Sequence, residues 1–171
     1  MPKILSQGTV SVIAGCHSPI HSILVVLAWR QLYGSWPKFW QLVCILLHDI
    51  GHIGKQYLDD FEQKKEHWIL GARIARFLFG EKGYLFVAGH CSYSGVSQSL
   101  LYRPDKLSWL IAPMWWMRSH ALVEPSIGKQ HHIDAFLKHV RENVESGRFE
   151  SNHVVWLKAQ KQLAEEEKSN A

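Results

Sequence analysis

Cysteine is scarce in this chain: three residues in 171, Cys16, Cys44 and Cys91, odd in number and without a CxxC spacing. That argues against a disulfide framework and against a cysteine-rich zinc site, and fits a reducing, cytoplasmic setting. Long apolar runs are also missing. The longest, Ile23-Leu24-Val25-Val26-Leu27-Ala28-Trp29, falls well short of the ~20 residues that span a bilayer and reads as a buried helix segment. Ile13-Ala14-Gly15-Cys16 has the outline of a lipoprotein cleavage box, but Ser6, Gln7, Gly8, Thr9 and Ser11 make a poor hydrophobic signal core before it. No basic stripe runs along the chain. The net charge of +4 is spread over scattered residues, which gives no nucleic-acid surface and agrees with a small anionic ligand. Strand-like alternation and internal repeats are absent.

What is present is a globular composition, 47% hydrophobic and 20% charged, in a length that suits one domain. Residues 1–16 read as an irregular or strand-like lead-in. Pro19 and Gly34 bracket a first helix over about 18–33, and Pro37 opens a second that runs to about 49. Residues 53–64 are polar, a loop with a short helix. A helix over 66–80 follows, with Trp68, Ala72, Ala75 and Leu78 as its buried stripe, then another over about 84–90. The serine-rich stretch 91–104 has a loop composition. Pro104 opens a helix bearing Leu107, Leu110, Ile111 and Met114, bent at Pro113. A surface connection with Pro125 and Gly128 covers 121–130. Ile133, Phe136, Leu137, Val140 and Val144 mark an amphipathic helix, and a last helix covers about 154–166 before a charged, solvated tail. The expected fold is all-α, a single compact helical bundle over 1–171 with its core in about 17–118 and C-terminal helices over about 130–166.

The chemistry concentrates at Leu46-Leu47-His48-Asp49-Ile50-Gly51-His52. Positions four apart on a helix share a face, so His48 and His52 can look into one cavity with Asp49 beside them, and Gly51 lets the backbone bend. Imidazole next to carboxylate suits a borderline transition metal such as iron, manganese, cobalt or zinc. A core histidine hydrogen-bonded to its neighbour gives the same pattern. Eleven histidines are many for this length. His21, His67, His90 and Asp105 each come from a different expected helix, and facing helices that converge side chains are how bundles build metal sites. For His21 the competitor is His17, one helical turn earlier.

The series H…HD…H…H…D resembles the HD-domain superfamily of metal-dependent phosphohydrolases, and more narrowly its dinuclear members. The similarity covers about residues 17–118, strongest at Leu46–Gly51, at His67 with Gly71-Ala72, and at Asp105-Lys106-Leu107. The resemblance implies one metal held by His21, His48, Asp49 and Asp105, and a second held by His67 and His90 with Asp49 bridging. It implies two divalent ions, iron or manganese first and zinc, cobalt or nickel after them. Asp49 and His52 would be the catalytic residues, His52 contacting substrate or moving a proton. His52 stands where the HD-GYP phosphodiesterases have Lys and many single-metal nucleotidases have Glu. After His90 the chain reads Cys91-Ser92-Tyr93-Ser94-Gly95, with no GYP motif.

The expected activity is therefore hydrolysis of a small phosphate ester, a nucleotide being one substrate, by metal-bound hydroxide. The alternatives are a diiron oxygenase of the same fold that cleaves a C–C or C–P bond of a phosphonate or polyol, and a non-catalytic, metal-stabilised binding module. A metalloprotease reading from the likeness of HDxxH to HExxH is weaker, because Asp is one methylene shorter than Glu. Arg103 and Lys106 flank Asp105 and are candidates to meet an anionic substrate, as is Ser94 at the pocket mouth; solvated charges and an ordinary loop serine are the plainer readings. His120, His131, His132, His139 and His153 fall outside the pattern. Trp115 and Trp116 cannot both face one core, so one is a candidate for a pocket wall or a contact between copies in a homo-oligomer.

Overall fold

Local signals in the sequence set several helix ends. In the computed structural model, which describes residues 5–56, 62, 65–123, 130–150 and 152–169, Ser6 accepts from the Thr9 backbone N–H and starts α1 (Gln7–Ala14). The irregular or strand-like lead-in expected for residues 1–16 is thus largely a helix. Thr9, Val10, Ser11, Val12 and Ile13 are weak helix formers, and tertiary contact supplies what propensity does not. Gly8 donates its N–H to the Lys55 carbonyl, and Thr9 Oγ1 accepts from Gly54 N.

Pro19 sits in the first turn of α2 (Pro19–Tyr33), and Gly34 ends it in the left-handed region at φ 68°. The second expected helix is shorter than its pattern implied. α3 (Phe39–Leu47) stops at His48, and Ile50–His52 form one turn of 3-10 helix, so His48 and His52 do not share a continuous α-helical face. Then come α4 (Trp68–Phe79), α5 (Glu81–Ala88), α6 (Tyr102–Ile111), α7 (Met114–Val123), α8 (Gln130–Glu145) and α9 (Asn152–Ser169). Pro113 separates α6 from α7. Most of the expected 53–64 loop, and the 121–130 connection beyond Val123, lie outside the described residues. Among the described residues there is no strand, and the fold is all-α.

Two apolar cores form. In one, Leu24, Trp109, Trp116, Met117, Ile133, Phe136, Val140 and Val155 pack together; in the other, Val25, Trp29, Cys44, Ile45, Ala72, Ala75, Phe86 and Leu101. Helix α2 serves both through adjacent residues, Leu24 and Val25. It packs on α6, α4 packs on α5, and α8 pairs with α9. Ala72 and Ala75 are buried as their spacing predicts, but Leu78 is 49% exposed, the stripe having rotated outward by the last turn. Trp116 is buried and Trp115 is 66% exposed. None of the three cysteines forms a disulfide, and all three are buried. Among the described residues no single helix is long and apolar enough to cross a membrane.

Candidate metal centre

The polar residues of interest sit mainly where helices end. His48 directly follows α3, His67 is the residue before α4, His90 lies just past the Gly89 cap of α5, Asp105 is in the first turn of α6, and His21 is in the first turn of α2. Chain ends of this kind bring short side chains to a common point without a helix axis passing through it. One close approach holds the arrangement together. A Cβ on Gly51 would lie 1.7 Å from the His67 carbonyl oxygen, so only glycine lets the turn after Asp49 pack against the start of α4. Gly51 serves here through close contact, with no positive φ, rather than through the bend its sequence context suggested.

The Asp49 carboxylate is the hub. Its Oδ2 lies 3.1 Å from His48 Nε2 and 3.5 Å from His21 Nε2, while its Oδ1 lies 3.6 Å from both His67 Nε2 and His90 Nε2. Asp105 Oδ1 approaches His21 Nε2 at 3.1 Å and His48 Nε2 at 3.8 Å. His21, His48, Asp49, His90 and Asp105 are all buried, and His67 is half-buried.

The far nitrogens of the imidazoles are anchored. His48 Nδ1 donates to the Ile45 carbonyl and His90 Nδ1 to the Val87 carbonyl, each at 2.5 Å. His21 Nδ1 faces Ser108 Oγ at 3.5 Å, and that hydroxyl donates to the Asp105 carbonyl, so it accepts from His21. Each of these anchors occupies Nδ1 and turns Nε2 toward the carboxylates, where His48 holds a proton in the metal-free chain and a cation would take that proton's place, the pattern that orients metal-bound histidines. His48 Nε2 is buried, and the groups it faces are the Asp49 and Asp105 carboxylates. Between His67 and His90 the Nε2 atoms are 2.8 Å apart, and with His90 anchored through Nδ1 it is His67 that donates.

Electrostatics point the same way. Burial works against charge on His48, yet Asp49 and Asp105 outweigh it and hold its pKa up at about 10. Burial pulls Asp49 upward, and His48 with His17 overcomes it, keeping the carboxyl well below the usual range. Asp105 is likewise raised by burial and lowered further by Lys106, His21 and His48. Two buried carboxylates demand positive charge, and the protein itself supplies one permanent cation, Lys106, whose Nζ pairs with Asp105 Oδ2 at 2.5 Å.

The expected substrate-contacting residues sit differently. Lys106 is buried in that ion pair and beside the Tyr102 ring, so its charge serves Asp105. Arg103 is exposed and lies over the Phe149 ring. Ser94 Oγ donates to the Cys91 carbonyl and accepts from Val96 N, which closes a turn of its own loop. His52 is buried, with its ring stacked between those of His17 at 3.8 Å and His67 at 4.8 Å.

Three sets of side chains place their ligand atoms within 4.8 Å of one another: His21-His48-Asp49, Asp49-His67-His90, and His17-Asp49-His52. These buried groups can hold metal ions. Each set is two imidazoles and a carboxylate, a donor combination for iron, manganese or zinc. His17 is the residue sequence reasoning passed over, treated there as a rival to His21 on one helix. Gly15 and Pro19 together carry the signal that it lies between helices. No family model, curated protein or solved structure matches this chain.

Proposed function

We propose that this protein is a dinuclear metal-dependent phosphohydrolase acting on a small phosphate ester, in the manner of the HD-domain superfamily its motif series resembles. The observation that carries the reading is the division of Asp49. One carboxylate oxygen faces His21 and His48, the other faces His67 and His90, which is the geometry of a bridging ligand. Asp105 completes the first position, and Lys106 occupies its second oxygen, which leaves Asp105 one oxygen to give. Iron or manganese suits these nitrogen and oxygen donors. A bound pair supplies a hydroxide near neutral pH and positive charge for a phosphoryl oxygen.

The chain's own residues then set orientation and charge. Ile45, Val87 and Ser108 fix three imidazoles, and His52 stands beside Asp49 to contact substrate or carry a proton. Two divalent ions outweigh Asp49 and Asp105, one of which Lys106 already neutralises. The surplus is positive and selects an anionic substrate. The test is phosphate or nucleotide release from a panel of nucleotides and cyclic nucleotides, with manganese or ferrous iron. Turnover abolished by Asp49→Asn is the expected result. Absence of release with every metal would overturn hydrolysis, and oxygen uptake in its place would move the chemistry to a diiron oxygenase.

A further inference from the structure

We infer that His17 and His52, with Asp49, form a third divalent-cation position at the edge of the cluster; this rests on the two-metal reading above and extends it. The three ligand atoms meet the same mutual spacing as the two sets already described. A carboxylate has about four lone-pair directions on its two oxygens, so Asp49 has capacity for a third ion.

Helix α1 holds both imidazoles in place. Ser11, on α1, bonds His17 Nδ1 at 2.6 Å, with Cys16 Sγ 3.3 Å from the same nitrogen, so Nε2 is the ligand His17 offers. The opposite end of α1 locates His52: a Cβ on Gly8 would fall 2.1 Å from the His52 carbonyl oxygen, and Gly8 N and Thr9 Oγ1 tie the 54–55 backbone to the helix. The two rings are thereby held 3.8 Å apart. Two imidazoles and a shared carboxylate leave coordination positions open to water or to a substrate oxygen. His52 then meets the phosphoryl group through the cation it holds.

The test is metal stoichiometry and anomalous diffraction on the full chain, stripped with chelator and reloaded with manganese. Wild type is expected to bind three ions, with one anomalous peak within ligand distance of ring nitrogens of His17 and His52 and an oxygen of Asp49. His17→Ala is expected to bind two, with both remaining peaks at Asp49 and an unchanged helical circular dichroism spectrum. Ser11→Ala keeps the ligand and loses its anchor, and should weaken one ion of the three by roughly 10-fold; it serves if His17→Ala does not fold. Two ions in wild type and in both variants, or a third peak away from His17 and His52, would overturn the third position and leave the two-metal reading standing. Fewer than two ions in wild type would overturn both.

Discussion

At the scale of single residues, charge governs. Lys106 is a buried ammonium paired with a buried carboxylate, and removing one partner of such a pair strands the other. Lys106→Met is expected to destabilise the metal-free protein by about 3 kcal/mol, with part of the loss recovered on adding manganese. Urea unfolding with and without metal measures it, and a loss within error of zero would show that Asp105 does not need the ammonium. His48 gives a pH signature. Its pKa stands at about 10 in the folded chain against 6.5 for the free side chain, so its contribution is full below about pH 6.5 and disappears as pH rises through about 10. Metal-free protein should therefore lose stability across that window, while Asp49 and Asp105, held low, cause losses only in acid. Thermal melts from pH 6 to pH 10.5 after chelation test this, and a flat profile would refute it. Loaded protein should show a shallower slope, because a cation then takes the place of the proton.

Between residues and the whole fold stand the helix ends. Gly51→Ala forces a methyl against the His67 carbonyl, and the turn or the start of α4 must move. Such overpacking costs about 1–3 kcal/mol. The sharper expected outcome is chemical: the ion at His67 and His90 binds more weakly, and the ion at His21 and His48 is retained. Titration calorimetry separates the two, and equal weakening of both would argue that the substitution simply loosens the core. At this scale the sequence was legible where punctuation was strong. Pro19 and Gly34 bracket α2, and Pro113 divides α6 from α7, because proline and glycine act through local backbone physics. It was illegible where tertiary contact decides. Helix α1 carries β-branched residues and serines that favour extended chain, and its helix is held by Ser6 at one end and by the 52–55 backbone alongside. Leu78 shows the same limit from the other direction, since a correct period does not say how far a neighbouring helix extends to cover it.

For the whole molecule, the cluster lies between the two apolar cores. His21 packs on Trp109 of one, while His48 and His90 are anchored to the carbonyls of Ile45 and Val87 of the other. Ions held there would tie both together. Each site filled at a thousand times its dissociation constant adds about 4 kcal/mol. For a chain of this size that corresponds to a fall of roughly 10 °C in melting temperature when one such ion is stripped. Calorimetric scans before and after chelation test it, and an unchanged melt would mean that metal is no part of what holds the fold. The six residues of the H…HD…H…H…D series do meet in space, drawn from five segments of a fold that has few ways to bury so many histidines. His17 escaped because a gap of four residues from His21 looks helical in print, whereas the chain breaks between α1 and α2.

The gathering of side chains at helix ends has one more consequence. Five rods packed side by side that also bring their ends to one point make a joint whose alignment depends on every rod at once. A slip of any one of them, by fraying, by a distant cavity or by a lengthened connector, displaces a donor atom. Binding strength at the joint would then serve as a gauge of the entire architecture, reporting damage far from it before unfolding becomes visible.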